Sequence, residues 1–255
     1  MNLDGLDISI LGPALLAGLL VLTTHIPLGR EVLRRGIIFL DLAVAQIAGL
    51  GVIISYSFGW ESGSWQIQFM AMTAALLGAS LLYWCEKRWP EVQEAIIGCV
   101  FVLAACAGIV VLSSNPHGGE EFKELLAGQI LWVSYEQLIP LAVVSIGVLA
   151  LWCSAYNKRH PLLFYGLFAV AVTSSVQLVG VYLVFASLII PALAVRKFKA
   201  KGLAIGFIIG ALGYVFGLCL SAILDWPSGA TIVWCLAISG IAVASFLSKR
   251  EKVLD

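Results

Sequence analysis

The chain has 255 residues, 61% of them hydrophobic and only 12% charged, with 15 basic residues against 15 acidic. A soluble domain carries roughly 45–50% apolar and about 25% charged residues, so this composition excludes an ordinary soluble domain and a disordered protein. The balanced charge also excludes a nucleic-acid binder. Eight Trp, 12 Phe and 25 Gly suit a helical membrane protein, where Gly permits close helix contact and Trp sits at interfaces.

Hydropathy divides the chain into apolar runs at approximately 8–28, 36–58, 65–85, 92–114, 137–155, 161–195, 202–222 and 228–248. Each is bounded by charge, Gly or Pro. Their length and lack of alternation predict helices rather than barrel strands. The first run follows an acidic start, Asp4 and Asp7, with no small-residue cleavage site, which predicts a retained span.

Arg30, Arg34 and Arg35 follow the first run, and Lys87 and Arg88 follow the third. Lys158 and Arg159 follow the fifth, and Arg196, Lys197, Lys199 and Lys201 follow the sixth. Lys249, Arg250 and Lys252 close the chain, leaving only Lys123 on an intervening connection, among Glu120, Glu121 and Glu124. The positive-inside rule then predicts the N-terminus outside and the C-terminus in the cytoplasm.

The run 161–195 has basic residues at both ends, so it either crosses an even number of times or returns through a break. Gly180 and Pro191 are the break points its sequence offers. Irregular backbone at membrane depth occurs only where protein or a water-filled cavity surrounds it. The segment near 178–195 is therefore expected either to border a translocation path or to form two tightly packed short helices. Residues 118–136 are too polar to span. Leu125, Leu126, Ile130, Leu131 and Val133 give them a partial apolar face, which predicts a short helix lying on the external side. The expected fold is an all-α polytopic helical bundle of about 8–9 spans, forming one transmembrane domain over residues 1–255.

Chemistry-bearing residues are sparse. Cys85, Cys99, Cys106, Cys153, Cys219 and Cys235 show no CxxC spacing and read as small apolar packing residues. His25, His117 and His160 form no HExxH. His25 is expected at the membrane interface. His117, with Glu120 and Glu121, is either a cation-capturing group or an ordinary solvated loop.

Five stretches carry a further signal. They are Pro27–Val52 (PLGREVLRRGIIFLDLAVAQIAGLGV, opening on a PLG turn), Glu86-Lys87-Arg88 with EAIIG at 94–98, LAGQILWVSYEQL at 126–138, VGVYLVFASLIIPALAVRKF at 179–198, and SAILDWPSGATIV at 221–233. In this order they resemble the permease subunits of the metal-ion ABC importers, the family that takes up zinc, manganese or iron. The resemblance covers nearly the whole chain. It implies a transport subunit of the inner (plasma) membrane, with no catalytic residues of its own and no covalently bound cofactor. Its cargo would be a divalent metal ion, zinc before manganese or iron. It would work as a homodimer within membrane lipid, with a separate ATPase subunit and an external metal-binding protein, by alternating access.

Two departures from the family pattern bear on mechanism. The family's pore pair, an acid and a His four residues on, maps to Leu42 and Gln46, with an acid one residue earlier at Asp41. Asp41 and Gln46 lie about 140° apart on a regular helix, and only a π-bulge would bring them together. The second acid maps to Glu94, but its His maps to Val102. The residues expected to meet the metal are thus Asp41, Gln46 and Glu94. An unpaired charge at Asp41 costs about 2.5–3.5 kcal/mol, so this residue either contacts cargo or a proton, or pairs with Arg34 or Arg35. Gln46 alternatively makes an interhelical hydrogen bond, and Glu94 a helix-end charge favoured by the dipole. Gln177, Gly180 and Pro191 are expected along the path, with Gln177 alternatively a satisfied polar contact and Pro191 more a helix breaker than a site. The second departure is a missing cytoplasmic coupling helix after the fifth span, where only about Ala155–Pro161 remains. Lys158, Arg159, Arg196 and Lys197 are then expected to contact the ATPase. The short connection also leaves open an ATPase-independent secondary transporter or channel of the same fold. An intramembrane enzyme would need a catalytic constellation, and the sequence offers none.

Overall fold

The structure, a computed structural model, describes residues 7–58, 60, 64–113, 126–154, 161–198 and 201–251. The helices are α1 (Ile8–Arg35), α2 (Leu40–Ser57), α3 (Trp65–Arg88), α4 (Gln93–Leu112), α5 (Tyr135–Cys153), α6 (Pro161–Val179), α7 (Val181–Ala194), α8 (Gly202–Leu224) and α9 (Ser228–Glu251). Single 3-10 turns lie at Pro90–Val92 and Ile130–Trp132, and the described residues contain no strand. Among the described residues seven helices are long and apolar enough to cross a membrane, and α2 and α7 are shorter apolar helices. At 14 residues, α7 reaches about 21 Å, short of the roughly 30 Å hydrocarbon core. Asp7 starts α1 by accepting the Ser9 N–H at 2.8 Å. That bond to the Ser9 backbone holds its carboxyl below the usual range.

The chain forms two compact units. The first takes residues 1–35, 127–142 and 178–255, and the second takes 36–126 and 143–177. In the first unit α1 packs on α7 and α8, and α9 packs on α7 and α8. One glycine stripe of α8 explains the closeness. Gly206 and Gly210 receive Ile26 and Leu22 of α1, while Gly213 and Gly217 receive Leu236 and Ile232 of α9. A methyl on Gly210 would sit 2.5 Å from Leu22 Cδ2. Helices in lipid gain from such packing because no hydrophobic drive separates them from lipid tails. The Tyr214 ring lies directly over Gly18, and its hydroxyl shares a 2.8 Å hydrogen bond with Ser187 of α7.

In the second unit α2 packs on α3 and α4. Gly78 of α3 takes the Ile47 side chain, and Gly51 of α2 faces the Met70 carbonyl. Val52, Ile67 and Ala71 form a small core there, flanked by Tyr56 and Trp60.

Two local expectations change. Pro27-Leu28-Gly29 does not turn, because α1 runs through it to Arg35. Proline removes one helix hydrogen bond, and here Leu28 and Gly29 are buried against neighbours that hold the helix on course. Pro191 likewise does not break the chain but sits buried in the last turns of α7. The run 161–195 breaks once, at Gly180, with φ 82° and ψ 160°. The short helix expected within 118–136 falls mostly outside the described residues, and its described end, residues 126–127, is helical. The chain then leaves helix at Gly128, with φ 72°, and makes the 3-10 turn, with Ile130 and Val133 buried. Residues 114–125 lie outside the described residues.

Candidate functional site

Asp41 occupies the first turn of α2, where the helix dipole favours an acid. It is completely buried, and neither carboxylate oxygen has a hydrogen-bond partner among the described residues. The arginines that the sequence offered as partners close elsewhere. Arg34 Nη2 lies 2.5 Å and Arg35 Nε 2.8 Å from Glu31 Oε1. Gln46 is also buried. Because α2 is α-helical throughout, with no π-bulge, Asp41 and Gln46 keep their separation of about 140° around the axis.

Glu94 stands in the first turn of α4 and reaches α2. Its Oε1 accepts the Phe39 N–H at 3.2 Å, while its Oε2 is buried without a partner. The neighbouring Gln93 is buried and donates from Nε2 to the Tyr165 hydroxyl of α6 at 2.6 Å. Val102, at the position of the family's His, is exposed on α4. Among the described residues no group of three or more His, Cys, Asp or Glu is placed to hold a metal ion.

Gln177 lies near the end of α6 with its Nε2 buried and unpartnered. Thr173, one turn earlier, has a buried and unpartnered Oγ1. The four-residue spacing puts both on one helix face. Sequence reading passed over Thr173, though its spacing from Gln177 was visible. Gly180 separates α6 from α7. Its Cα approaches so closely that a methyl there would overlap the Gly128 amide, and a methyl on Gly128 would overlap the Val179 carbonyl.

Arg196 and Lys197 are exposed in the turn after α7. Arg30 of α1, also passed over in the sequence, donates to the Phe198 carbonyl at 2.8 Å and ties that connection to α1. Lys158 and Arg159 lie outside the described residues, as do His117, Glu120 and Glu121. His25 is fully buried in α1, with Nδ1 2.9 Å from the Val21 carbonyl and 3.0 Å from Thr24 Oγ1.

Membrane-length helices with a shorter helix pair broken at Gly180 define a polytopic helical membrane protein. Residues 7–165 and 156–248 match the ABC 3 transport family, and the chain belongs to that family. It is therefore a membrane permease component and not an enzyme. It is 26% identical to the high-affinity zinc uptake system membrane protein ZnuB of Haemophilus influenzae, over 96% of this chain and 99% of that one. It is 25% identical to the manganese transport system membrane protein MntC of Halalkalibacterium halodurans, over 98% of this chain and 91% of that one. Among solved structures, its fold is similar to that of PsaBC from Streptococcus pneumoniae in complex with Fab, with a TM-score of 0.73 and 22% identity, over 94% of this chain and 93% of that one.

Proposed function

We propose that the chain is the permease subunit of an ATP-driven importer for a divalent transition metal, zinc before manganese or iron. It works as a homodimer with two ATPase subunits and an external metal-binding protein. The observation that carries this reading is Asp41, an acid buried with both oxygens unpartnered. A buried charge needs a counter-charge, and a passing cation supplies one. Gln46, about 140° around α2 from Asp41, does not share that contact, and Gln177 is the further polar group assigned to the path within the same unit. The names of the zinc and manganese relatives support the choice of cargo. Lys158, Arg159, Arg196 and Lys197 form the ATPase-facing contacts.

The test is co-purification with the ATPase, then reconstitution in vesicles with the external binding protein. ATP-dependent accumulation of radioactive zinc is expected, and manganese or iron in its place would move the cargo assignment. One observation favours a second reading. Cys153 ends α5 and Pro161 begins α6, so residues 154–160 are all that remain for docking there. Zinc flux without ATP, from a permease that binds no ATPase, would establish the channel or secondary transporter instead.

The orientation proposed from the basic residues is N-terminus outside and C-terminus in the cytoplasm. Single cysteines at positions 120 and 252 test it. In intact cells a membrane-impermeant thiol reagent is expected to label position 120 and miss position 252. The reverse pattern would overturn the orientation.

A further inference from the structure

The first turn of α4 makes two hydrogen bonds in different directions. Gln93 reaches Tyr165 in the second turn of α6, and Glu94 reaches the backbone N–H of Phe39, the residue that precedes α2. Both bonds lie within the second unit. Phe39 occupies the N-cap position of α2, with no side-chain cap bond of its own. In a capping box a Glu inside the same helix accepts the N-cap N–H. Here the Glu of a neighbouring helix does so. Asp41 follows Phe39 by two residues, inside the first turn that this bond holds.

The other arm is firmly seated. Tyr165 is buried, its ring is 5.8 Å from that of Tyr83 and 5.6 Å from that of Phe164, and Lys87 Nζ lies 4.8 Å over the Tyr83 ring. Gln93 thus grips the hydroxyl of a buried ring that packs against Tyr83 of α3 and Phe164 of α6.

We infer that the first turn of α4 is a two-armed bracket that fixes the start of α2, and with it Asp41, to the start of α6. Gln93, Glu94 and Tyr165 are its positioning residues. This rests on the reading of Asp41 as a cargo contact. It assigns Glu94 a different role from a metal ligand: its carbonyl-type oxygen matters as an acceptor, and its charge does not. Movement at the start of α6, directly after the connection 154–160, would reach Asp41 through two hydrogen bonds and one turn of helix.

The assembled transporter in vesicles, with radioactive zinc as the probe, tests the chemistry of Glu94. Glu94→Gln keeps an acceptor for the Phe39 N–H and is expected to rescue most of the uptake that Glu94→Ala loses. Tyr165→Phe and Gln93→Ala are each expected to lower zinc moved per ATP roughly fivefold, the shift that one hydrogen bond supplies to a two-state equilibrium. If Glu94→Gln fails as completely as Glu94→Ala, Glu94 acts through its charge and the bracket is wrong. Amide hydrogen exchange on the permease alone gives a readout independent of transport. Tyr165→Phe and Gln93→Ala are expected to speed exchange over residues 37–45 while leaving Gly202–Leu224 unchanged. Unchanged exchange over 37–45, or equal loosening of both segments, would overturn the bracket. Absence of zinc uptake by the wild-type complex would instead remove the proposed function, with the exchange result still deciding the bracket.

Discussion

Asp41→Asn is expected to abolish metal uptake while leaving the protein about as stable as the wild type. The two effects separate because the residue is buried without a partner. Asparagine has nearly the same shape and no charge. Asparagine brings no charge into the apolar span, although its amide is as short of partners there as the carboxylate, so the variant should accumulate, insert and resist heat about as well as the wild type. Losing the carboxylate removes the attraction for a cation in a low-dielectric site. A deficit of about 3 kcal/mol at that contact is roughly a hundredfold in affinity. The measurements are zinc uptake in vesicles and thermal unfolding in detergent. A variant that is unstable and inactive would show that Asp41 holds the fold. Normal uptake would remove Asp41 from the path.

Much of this was legible in the sequence, for reasons that trace to single residues. The helices follow from apolar runs too long and too uniform for barrel strands, which leaves the helix as the structure that satisfies their backbone in lipid. A break in 161–195 was legible from its basic flanks and from Gly180, which tolerates the backbone adopted there. Asp41 stood out because charge is rare inside a span. What escaped depends on partners distant in sequence. Pro27 and Pro191 read as breaks, since local rules treat proline as one, yet packing carries both helices through. Glu94 looked like a ligand or a helix-end charge, and its bond to Phe39 spans 55 positions. The Arg30 bond to Phe198 spans 168. Neither leaves a periodic trace, because side-chain partners across helices are chosen by three-dimensional register.

The stability of the first unit should depend most sharply on Gly128 and Gly180. Both have positive φ, 72° and 82°. Gly180, with ψ 160°, lies in a backbone region essentially restricted to glycine, which costs other residues about 1–3 kcal/mol. Steric overlap adds to that cost. A methyl on either glycine would meet the other strand's backbone, and backbone cannot swing aside as a flexible side chain can. The same segment is hemmed in again at Gly229, where a methyl would come 2.6 Å from the Ala127 carbonyl oxygen. Gly180→Ala and Gly128→Ala are therefore each expected to lower the unfolding temperature by roughly 10 °C or more, or to prevent accumulation altogether. Because both changes strain one contact, the double variant should lose less than the sum of the singles. Gly147→Ala in α5 and Gly166→Ala in α6 are the controls. Neither would meet an atom within 4 Å, and alanine within a helix is favoured by about 0.5–1 kcal/mol over glycine. These variants should match or exceed the wild type in the same melting measurement. If Gly180→Ala melts with them, the backbone crossing at Gly128 does not hold the break between α6 and α7 in place.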